Sequence, residues 1–596
     1  MFKLLDLPDE LFCEILRYLS AFDALFGFLN LNSRLNRLLS PFTRQIDFTS
    51  VSYEQFLHYF NDILPVISKQ GRLYALKLGD RRTPGQIELF NRMITSNNRN
   101  YITDIDRVFV EAPSLEHFGH FIDGYLRTLP RLRILSIETE TLCDSDFPKW
   151  TKVILNSILP IPSLTKLSIR TPVGPSLSRL PDTMMLTSLT HLTLHVSAVT
   201  DLVILIKRTP NLEQLSIRMG WWTSGDRTLV KILDEMRSDH CRTSFLPKLR
   251  RFSLTIDSII SFQHEHLQQV LFRILNEHVT SSFSFILRSC IKNDKDSTVQ
   301  LLDGQLWQQL LSPYSHLRKF DLFIRISDSN NADQQEDYSK TFQSPFFREK
   351  KWFFSYLKPS RQNDNILYSI ANKTIELFDI SLNPPEKFHH FPMNYAPHLA
   401  IDQTDTRYHA LDQSNFYHVL NHFPFLQQLT LTDVKLDAPV ILPVNTLSLY
   451  SLKIEKTQRI LPQLLFSIFP LVNTLSISFP VFDDQNEIFN LQYNQMKDLS
   501  LFNIHPERIK RVLLFLNQFP NISFLHLRLC NRRFNDDSLL NQVKDILRQH
   551  SSLISVKLEF DRDFSVPINW TIEFPDRVKM FLSNKTFDGV LYHLWF

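Results

Sequence analysis

Apolar residues recur along most of the chain in the order φ-x-x-φ-x-φ, where φ is apolar and x is any residue. Most neighbouring copies begin 23 to 37 residues apart, and two longer gaps measure 68 and 109 residues. Because alternate side chains of a strand share a face, the φ-x-φ half of each copy predicts a short strand with one apolar face. The fourteen copies begin at Leu73, Ile105, Leu132, Leu164, Leu189, Leu212, Leu249, Leu317, Leu426, Leu449, Val472, Met496, Ile522 and Leu553.

Helical patterns precede many of these predicted strands. In the segments 153–158, 511–519 and 539–547, apolar residues follow the i, i+3, i+4, i+7 spacing of an amphipathic helix. A proline often stands between helix and strand, as in LPRLRILSI at 129–137 and FPNISFLHL at 519–527. Proline ends a helix because it has no N–H for the next hydrogen bond. The pattern therefore predicts a chain that alternates helix, proline and strand.

This alternation resembles the leucine-rich repeat. One helix–strand unit cannot bury its own apolar face, whereas stacked units bury a continuous core between inner strands and outer helices. We therefore expect an α/β fold, an irregular leucine-rich-repeat solenoid with inner parallel strands and outer helices, preceded by a small three-helix unit. The alternative is an ordinary α/β domain with fortuitous internal similarity, which would not explain fourteen copies in one order.

One position departs from the repeat that the chain resembles. That repeat continues with an Asn or Cys whose side chain satisfies backbone groups in the turn. Here only Cys530 matches, and other copies carry residues such as Pro172, Ser197 and Asp257. We expect the turn backbone to find other partners, because buried backbone groups need hydrogen bonds. An irregular, variably curved array should follow.

The pattern is weakest between residues 328 and 412, and it divides the chain into four regions. These are an N-terminal helical domain over 1–48, repeats over 49–327, an insertion or distorted repeats, partly disordered, over 328–412, and further repeats over 413–596. Within the third region, DSNNADQQEDYSK at 328–340 is polar and predicts a loop. FFREKKWFFSY at 346–356 predicts either a buried aromatic strand pair, which we favour, or an RNA-stacking surface.

The first 40 residues do not fit the repeat and predict three short helices. Asp6 can cap the first helix, with Pro8 in its first turn. Apolar residues from Leu11 to Leu19 then form a stripe along that helix. Three helices of this size rarely fold alone, so the unit must dock on something. The pattern leaves two possibilities open, namely a cap on the first repeat and a site for a partner.

The same segment resembles an F-box in the order of its residues: Leu7-Pro8-x-Glu10-Leu11, then Ile15-Leu16-x-x-Leu19-Ser20, then Asp23-Ala24-Leu25 and Leu31. The family's third helix often has a Cys-Arg-x-Trp-like ending, where this chain reads Asn32-Ser33-Arg34-Leu35-Asn36. The resemblance implies a substrate receptor of an SCF-type ubiquitin ligase, which binds a Skp-type adaptor joined to a cullin–RING ligase and captures a target through its repeats.

The resemblance also implies which residues contact the adaptor. Within the stripe, we expect Phe12 and Leu16 to close the helical unit, while the side chains nearer the adaptor are those of Leu7, Pro8, Ile15 and Leu19. Residues that contact the adaptor or support the contacts are Leu7, Pro8, Leu11, Ile15, Leu16, Leu19 and Leu25.

Side chains flanking the strand leucines should face the concave side of the repeats. From Lys166 to Arg251 this face would be basic, and it carries no acid at these positions. They suit an acidic or phosphorylated target protein, because Arg grips carboxylate and phosphate with two hydrogen bonds. The alternative is an ordinary solvated face with chance clustering. The candidate target-binding residues are Lys166, Arg170, His191, His195, Arg218 and Arg251.

Composition narrows the class of protein. A net charge of +3 is too mild to indicate nucleic acid as a partner. The five cysteines lack paired spacing, so we expect reduced thiols in a cytoplasmic or nuclear protein and no metal. The start lacks signal-peptide features and no run reaches 18 apolar residues, so no membrane is expected.

No motif for catalysis stands out. Walker loops, nucleophile elbows and kinase signatures are missing from the sequence, so we expect no cofactor and no enzymatic activity. The chain would then be a non-catalytic subunit of a ubiquitin ligase complex. The alternative function is a leucine-rich-repeat scaffold or inhibitor whose N-terminal helices only cap the solenoid.

Overall fold

The computed structural model describes residues 7–19, 21–29, 31–49, 51–70, 73–79, 85–96, 104–111, 115–139, 147–171, 174–177, 184–223, 245–261, 264–288, 300–327, 338–352, 354–357, 364–369, 378–379, 398–402, 426–432, 449–455, 471–478, 493–505, 509–529, 544–545, 548, 550, 552–561, 580–586 and 589–595. The chain forms two compact units, Met1–Leu357 with Asn363–Ser369, and Lys358–Gln362 with Ile370–Phe596. The division falls inside the segment 328–412, where the repeat pattern is weakest.

The first unit contains a 12-stranded sheet. Its strands are β1 (Gln45–Asp47), β2 (Ala75–Gly79), β3 (Arg107–Glu111), β4 (Ile134–Glu138), β5 (Lys166–Arg170), β6 (His191–Val196), β7 (Gln214–Thr223), β8 (Arg251–Ser261), β9 (Ser282–Leu287), β10 (Lys319–Ser327), β11 (Phe354–Leu357) and β12 (Asp364–Ser369). Strands β1 to β10 lie side by side in chain order and are parallel. An antiparallel hairpin ends the sheet, with β12 beside β10.

The second unit repeats this design with a 10-stranded sheet. Its strands are β13 (Phe378–Asp379), β14 (His398–Asp402), β15 (Gln428–Thr432), β16 (Ser451–Glu455), β17 (Thr474–Ser478), β18 (Asp498–Ile504), β19 (Phe524–Leu529), β20 (Ser555–Asp561), β21 (Met580–Thr586) and β22 (Gly589–Trp595). Strands β13 to β20 are parallel and sequential, and an antiparallel hairpin again follows, with β22 beside β20.

The fourteen apolar motifs fix the positions of fourteen parallel strands. In every case the strand begins two residues after the first apolar position, as with Leu164 and Lys166. The three apolar positions of that copy, Leu164, Leu167 and Ile169, are all buried. The sequential parallel strands and their helical connections confirm the predicted irregular leucine-rich-repeat fold.

Two parallel strands of the first unit, β1 and β9, lack the motif because a threonine replaces its first apolar residue. In β9 this residue is Thr280, which is fully buried. Its hydroxyl donates to the carbonyl of Leu249 at 2.9 Å and accepts from the backbone N–H of Asn276 at 2.9 Å. Thr43 holds the same place before β1 and donates to the carbonyl of Ser40. At these two positions a threonine whose hydroxyl is hydrogen-bonded therefore takes the place of leucine.

Helices connect many of the strands. Those in the first unit are α1 (Asp9–Arg17), α2 (Ala21–Phe28), α3 (Ser33–Thr43), α4 (Tyr53–His58), α5 (Leu64–Gln70), α6 (Gln86–Ser96), α7 (Leu115–Gly124), α8 (Phe147–Val153), α9 (Val199–Arg208), α10 (His264–Ile274), α11 (Gly304–Leu311) and α12 (Pro345–Glu349). The second unit has α13 (Ile509–Leu516). Wider π-helical turns follow α4 and α8, at Tyr59–Ile63 and Ile154–Ile158, and most of the predicted helix 539–547 lies outside the described residues.

Other side chains replace the missing Asn or Cys of the turns, as expected. Gln86 is fully buried; its amide donates to the carbonyl of Phe48 at 2.7 Å, and its oxygen accepts from Gly79 N–H at 2.9 Å. The carboxylate of buried Asp201 accepts from Leu177 N–H at 2.6 Å. These two turns therefore use different residues, an amide and a carboxylate, to satisfy buried backbone groups.

The aromatic segment 346–356 packs into the end of the first sheet. Its first part is helix α12 and its last part is strand β11, so only half of the expected strand pair is a strand. Phe347 and Trp352 are buried, and the ring of Phe354 lies 4.4 Å from that of Phe342. These rings fill a core and do not form an open stacking surface. Residues 328–337 of the predicted polar loop lie outside the described residues.

Candidate partner-binding surfaces

Helix α1 divides its apolar stripe between an inner and an outer face. Phe12 and Leu16 are buried on the inner face. Leu11 on the outer face is 54% exposed. Of the other predicted adaptor-contact residues, Pro8 is exposed, Leu7, Ile15 and Leu19 are half-buried, and Leu25 in α2 is buried. Leu16 and Leu25 therefore support the outer face from inside and do not themselves present surface.

The sequence pattern missed one exposed residue beside this face. Tyr18 lies seven residues after Leu11 and is 83% exposed. Residues at i, i+4 and i+7 share one helix face, so Tyr18 extends the line formed by Leu11 and Ile15. Helical spacing alone could have identified it. We define the outer α1 face as Leu7, Pro8, Leu11, Ile15, Tyr18 and Leu19.

Aromatic and ionic contacts hold the three helices together. The rings of Phe12 and Phe28 meet edge to face at 5.1 Å. The Arg34 guanidinium contacts the Asp9 carboxylate at 2.6 Å and also donates to the carbonyl of Leu7. The hydrogen bond that Arg34 donates to the Asp9 carboxylate lowers the pKa of that carboxyl. The segment that departs from the F-box pattern thus supplies the arginine that positions the start of α1, and Asn32 caps α3.

Helix α2, and not α1, carries the aromatic contacts to the first repeat. The ring of Phe22 lies 6.2 Å from that of Tyr59, and the ring of Phe26 lies 4.8 Å from that of His58. The aromatic contacts to the first repeat therefore come from α2, whereas the exposed Leu11 and Tyr18 lie at α1. The expected capping residue Asp6 lies outside the described residues, and Pro8 occupies the N-cap position without a side-chain cap bond.

On the first sheet, the predicted target-binding residues occupy two rows of one face. Lys166, His191, Gln214 and Arg251 are register partners at the start of β5 to β8. Arg170 and Arg218 lie four residues further along their strands, and both are exposed. We call this the open face of β5–β9. Burial and the neighbouring Lys166 lower the pKa of His191.

His195 is a correction to the predicted set. Its side chain is 4% exposed, and Nδ1 lies 2.7 Å from the carbonyl oxygen of Thr171. The chain after β5 folds over the end of β6, where Ser197 donates to the carbonyl of Gly174 at 2.7 Å. A side chain on Gly174 would overlap the backbone of His195 at 2.5 Å. His195 therefore cannot contact a target, and burial lowers its pKa.

The open face also carries an acid that the repeat pattern did not place there. Asp257 in β8 accepts two hydrogen bonds from Arg218 Nε, at 2.8 and 3.1 Å, and lies 3.4 Å from Arg288. The carboxylate of Asp257 therefore neutralises part of the positive charge of Arg218. By contrast, Lys166, Arg170 and Arg251 have no ion pair within the described ranges.

Between the two basic rows runs a line of hydroxyl side chains. Each is half-buried and is the register partner of the next, from β4 to β9. The line consists of Ser136, Ser168, Thr193, Ser216, Ser253 and Ser284. Short side chains in the centre and long cations on both sides give this face the form of a shallow channel.

The second sheet carries a mixed cluster on β18 to β20. Glu559 lies 3.2 Å from His526 Nε2 and 3.5 Å from Arg528, and the ring of Phe502 meets His526 edge to face at 5.2 Å. Burial lowers the pKa of His526, and the hydrogen bond with His526 lowers the pKa of Glu559. This arrangement is a compact charge network with less exposed cationic surface than the open face of β5–β9.

Among the residues that the structure describes, no group of three or more His, Cys, Asp or Glu could hold a metal ion. Within the same ranges, no helix is long and apolar enough to cross a membrane. Cys13 is exposed on α1, and the other four cysteines lie outside the described residues.

No family model and no curated protein matches the chain. Among solved structures, it overlaps the TLR13–ssRNA13 complex with 15% identity over 82% of this chain and 56% of that chain, at a TM-score of 0.25. An internalin of Listeria monocytogenes gives 12% identity, coverage of 63% and 82%, and a TM-score of 0.21. A leucine-rich-repeat protein of Leptospira interrogans gives 11%, 87% and 95%, and 0.20. At these scores, the fold assignment rests on the chain's own sheet topology.

Proposed function

We propose that this chain is the substrate receptor of an SCF-type ubiquitin ligase. The outer α1 face binds a Skp-type adaptor joined to a cullin–RING ligase, and the repeats capture the target protein. The chain contributes no catalytic group; it brings the target to the ligase. In this function it acts in the cytoplasm, the nucleus or both.

The observation that carries the proposal is that, in the N-terminal unit, the helix that contacts the first repeat differs from the helix that exposes Leu11. If the unit were only a cap, the apolar residues of its stripe should be buried against the first repeat. Instead, the buried ring that contacts the repeat is Phe22 of α2, while Leu11 of α1 stays 54% exposed. Phe26, which contacts His58, is itself 60% exposed. Exposed apolar residues at helical spacing are typical of a helix that enters a partner's groove. The F-box resemblance names the partner class.

Adaptor capture by the full chain tests the proposal. The double variant Leu7→Ala/Pro8→Ala should lose at least tenfold in capture of a purified Skp-type adaptor, while its circular dichroism and unfolding curve stay unchanged. Arg17→Ala is the matched control, because Arg17 lies on the polar side of α1 with its side chain 75% exposed. Undiminished capture by the double variant would refute adaptor binding through this face.

The second candidate is a leucine-rich-repeat scaffold or inhibitor whose N-terminal helices only cap the array. The contacts of Phe22 with Tyr59 and of Phe26 with His58 favour this function. It predicts that residues of the outer α1 face can be replaced by polar ones with no loss of any binding partner. Adaptor capture therefore separates the two candidates directly.

A further inference from the structure

We propose that the open face of β5–β9 binds an extended acidic segment of a partner protein, which lies across the strands along the line of hydroxyls. The inference rests on the target-capturing part of the proposed function and specifies what that surface recognises. The partner's recognition element is an unfolded run with spaced carboxylates. A folded surface or a single phosphate group would fit this face less well.

Cations outnumber acids on the open face of β5–β9. On β5 to β9 the described part of the open face presents five cations, Lys166, Arg170, Arg218, Arg251 and Arg288, and one acid within the strands, Asp257. Two further acids lie at its border: Glu213 directly before β7, and Glu138 of β4, which is the register partner of Arg170. Three of these cations, Lys166, Arg170 and Arg251, have no ion pair among the described residues. Uncompensated charge of one sign attracts a segment of opposite sign and orients it before contact. The preferred occupant is therefore anionic.

The distribution of the cations favours carboxylates along a chain over one phosphate. A phosphate needs several donors that converge on one point. The arginines that do converge, Arg218 and Arg288, already hold the carboxylate of Asp257 at 2.8 and 3.4 Å. The remaining cations are spread, since Lys166 and Arg251 stand three strands apart, or about 14 Å.

The geometry of the channel fits an extended chain. Its floor is made of hydroxyls, which both donate and accept and can therefore pair with peptide N–H and C=O groups. Its two basic rows are four residues apart along each strand, or about 13 Å. Successive side chains of an extended peptide point to opposite sides, so one set of carboxylates would reach each row. Four residues of extended peptide cover about 13 Å, close to the spacing from Lys166 to Arg251.

Fluorescence polarisation with the full chain and no adaptor tests the proposal, so a failed adaptor assay does not affect it. The probe is fluorescein-labelled Gly-Ser-Glu-Glu-Gly-Ser-Glu-Glu-Gly-Ser. Comparison peptides replace the four Glu by Gln, place all four Glu together, or carry one phosphoserine on the Gln peptide. A fourth probe is a ten-nucleotide oligouridine. We expect the spaced Glu peptide to bind most tightly, with affinity that falls as salt rises.

Substitutions on the open face show whether the peptide binds there. Lys166→Gln/Arg251→Gln should weaken the spaced Glu peptide at least tenfold, while Lys207→Gln, an exposed lysine at the end of α9, should change its affinity less than twofold. Equal binding of the Gln peptide, or equal loss in the control variant, would overturn the proposal. Tighter binding of the phosphoserine peptide or of oligouridine, lost in the same double variant, would also overturn it and assign the face to that other ligand.

Discussion

The Nε atom of Arg218 lies between the two carboxylate oxygens of Asp257, at 2.8 and 3.1 Å. On the same face lie three cations, Lys166, Arg170 and Arg251, that have no ion pair with any residue the structure describes. Asp257 therefore offsets part of the positive charge that the repeat pattern assigned to this face. It also competes with any partner carboxylate for Arg218.

Asp257→Asn should raise the affinity of the open face for an acidic peptide. The substitution removes the one negative charge of β8 from the face and releases Arg218. Stability should change by less than about 1 kcal/mol, because the Arg218 side chain is 44% exposed and such pairs contribute little. Titration with the spaced Glu peptide and urea unfolding measure the two effects. Weaker binding would mean that Asp257 acts by holding Arg218 in position.

Acidification should loosen strand β6 at His195. Burial lowers the pKa of His195, so the folded state prefers neutral imidazole. The hydrogen bond with the Thr171 carbonyl and the charge of Asp257 oppose this effect, while Arg218 and Arg288 reinforce it. As the pH falls below the ordinary value of 6.5, the unfolded state binds more protons and stability decreases. Hydrogen exchange at pH 7.5 and 5.5, corrected for intrinsic rates, should show faster exchange of β6 at the lower pH. If the His195→Gln variant showed the same increase in the exchange rate of β6 at the lower pH, His195 would be excluded as the source of the effect.

Thr280→Val should destabilise the first unit, although it restores an apolar residue to the motif. Valine has nearly the shape of threonine but leaves the carbonyl of Leu249 and the N–H of Asn276 without their buried partner. The cost of such unsatisfied groups is about 1–3 kcal/mol. Urea unfolding should place Thr280→Val below Thr280→Ser, which keeps the hydroxyl. The reverse order would show that apolar burial outweighs the two hydrogen bonds.

The period of the apolar residues was enough to locate fourteen strands because each φ position is a buried contact between neighbouring repeats. It could not locate β9, where Thr280 satisfies the backbone through a hydroxyl. It placed His195 on the correct strand but not under the covering segment at Gly174, because a connection that folds back leaves no periodic signal. The terminal hairpins, such as β11–β12, lie outside the fourteen copies of the motif, so the repeat period did not locate them.

Two glycine substitutions should act in opposite directions. A Cβ at Gly304 would meet the backbone oxygen of Thr341 at 2.5 Å, so Gly304→Ala must displace one segment and should cost about 1–3 kcal/mol. At Gly119, inside α7, the nearest atom is a methyl of Val153 at 3.9 Å. Gly119→Ala should therefore stabilise the helix by about 0.5–1 kcal/mol. Urea unfolding of both variants checks the pair, and destabilisation by Gly119→Ala would contradict the packing at α7.

The two faces of α1 should separate stability from adaptor binding. Leu16 is 2% exposed, so Leu16→Ala should cost about 2–5 kcal/mol through the lost contacts and the cavity left behind. Leu11 is 54% exposed, so Leu11→Ala should cost less than about 1 kcal/mol. Adaptor capture should show the opposite order at temperatures where both variants are folded, with the larger loss in Leu11→Ala. Equal adaptor capture by wild type and Leu11→Ala would indicate that the outer face of α1 lies outside the interface, and would favour the scaffold alternative.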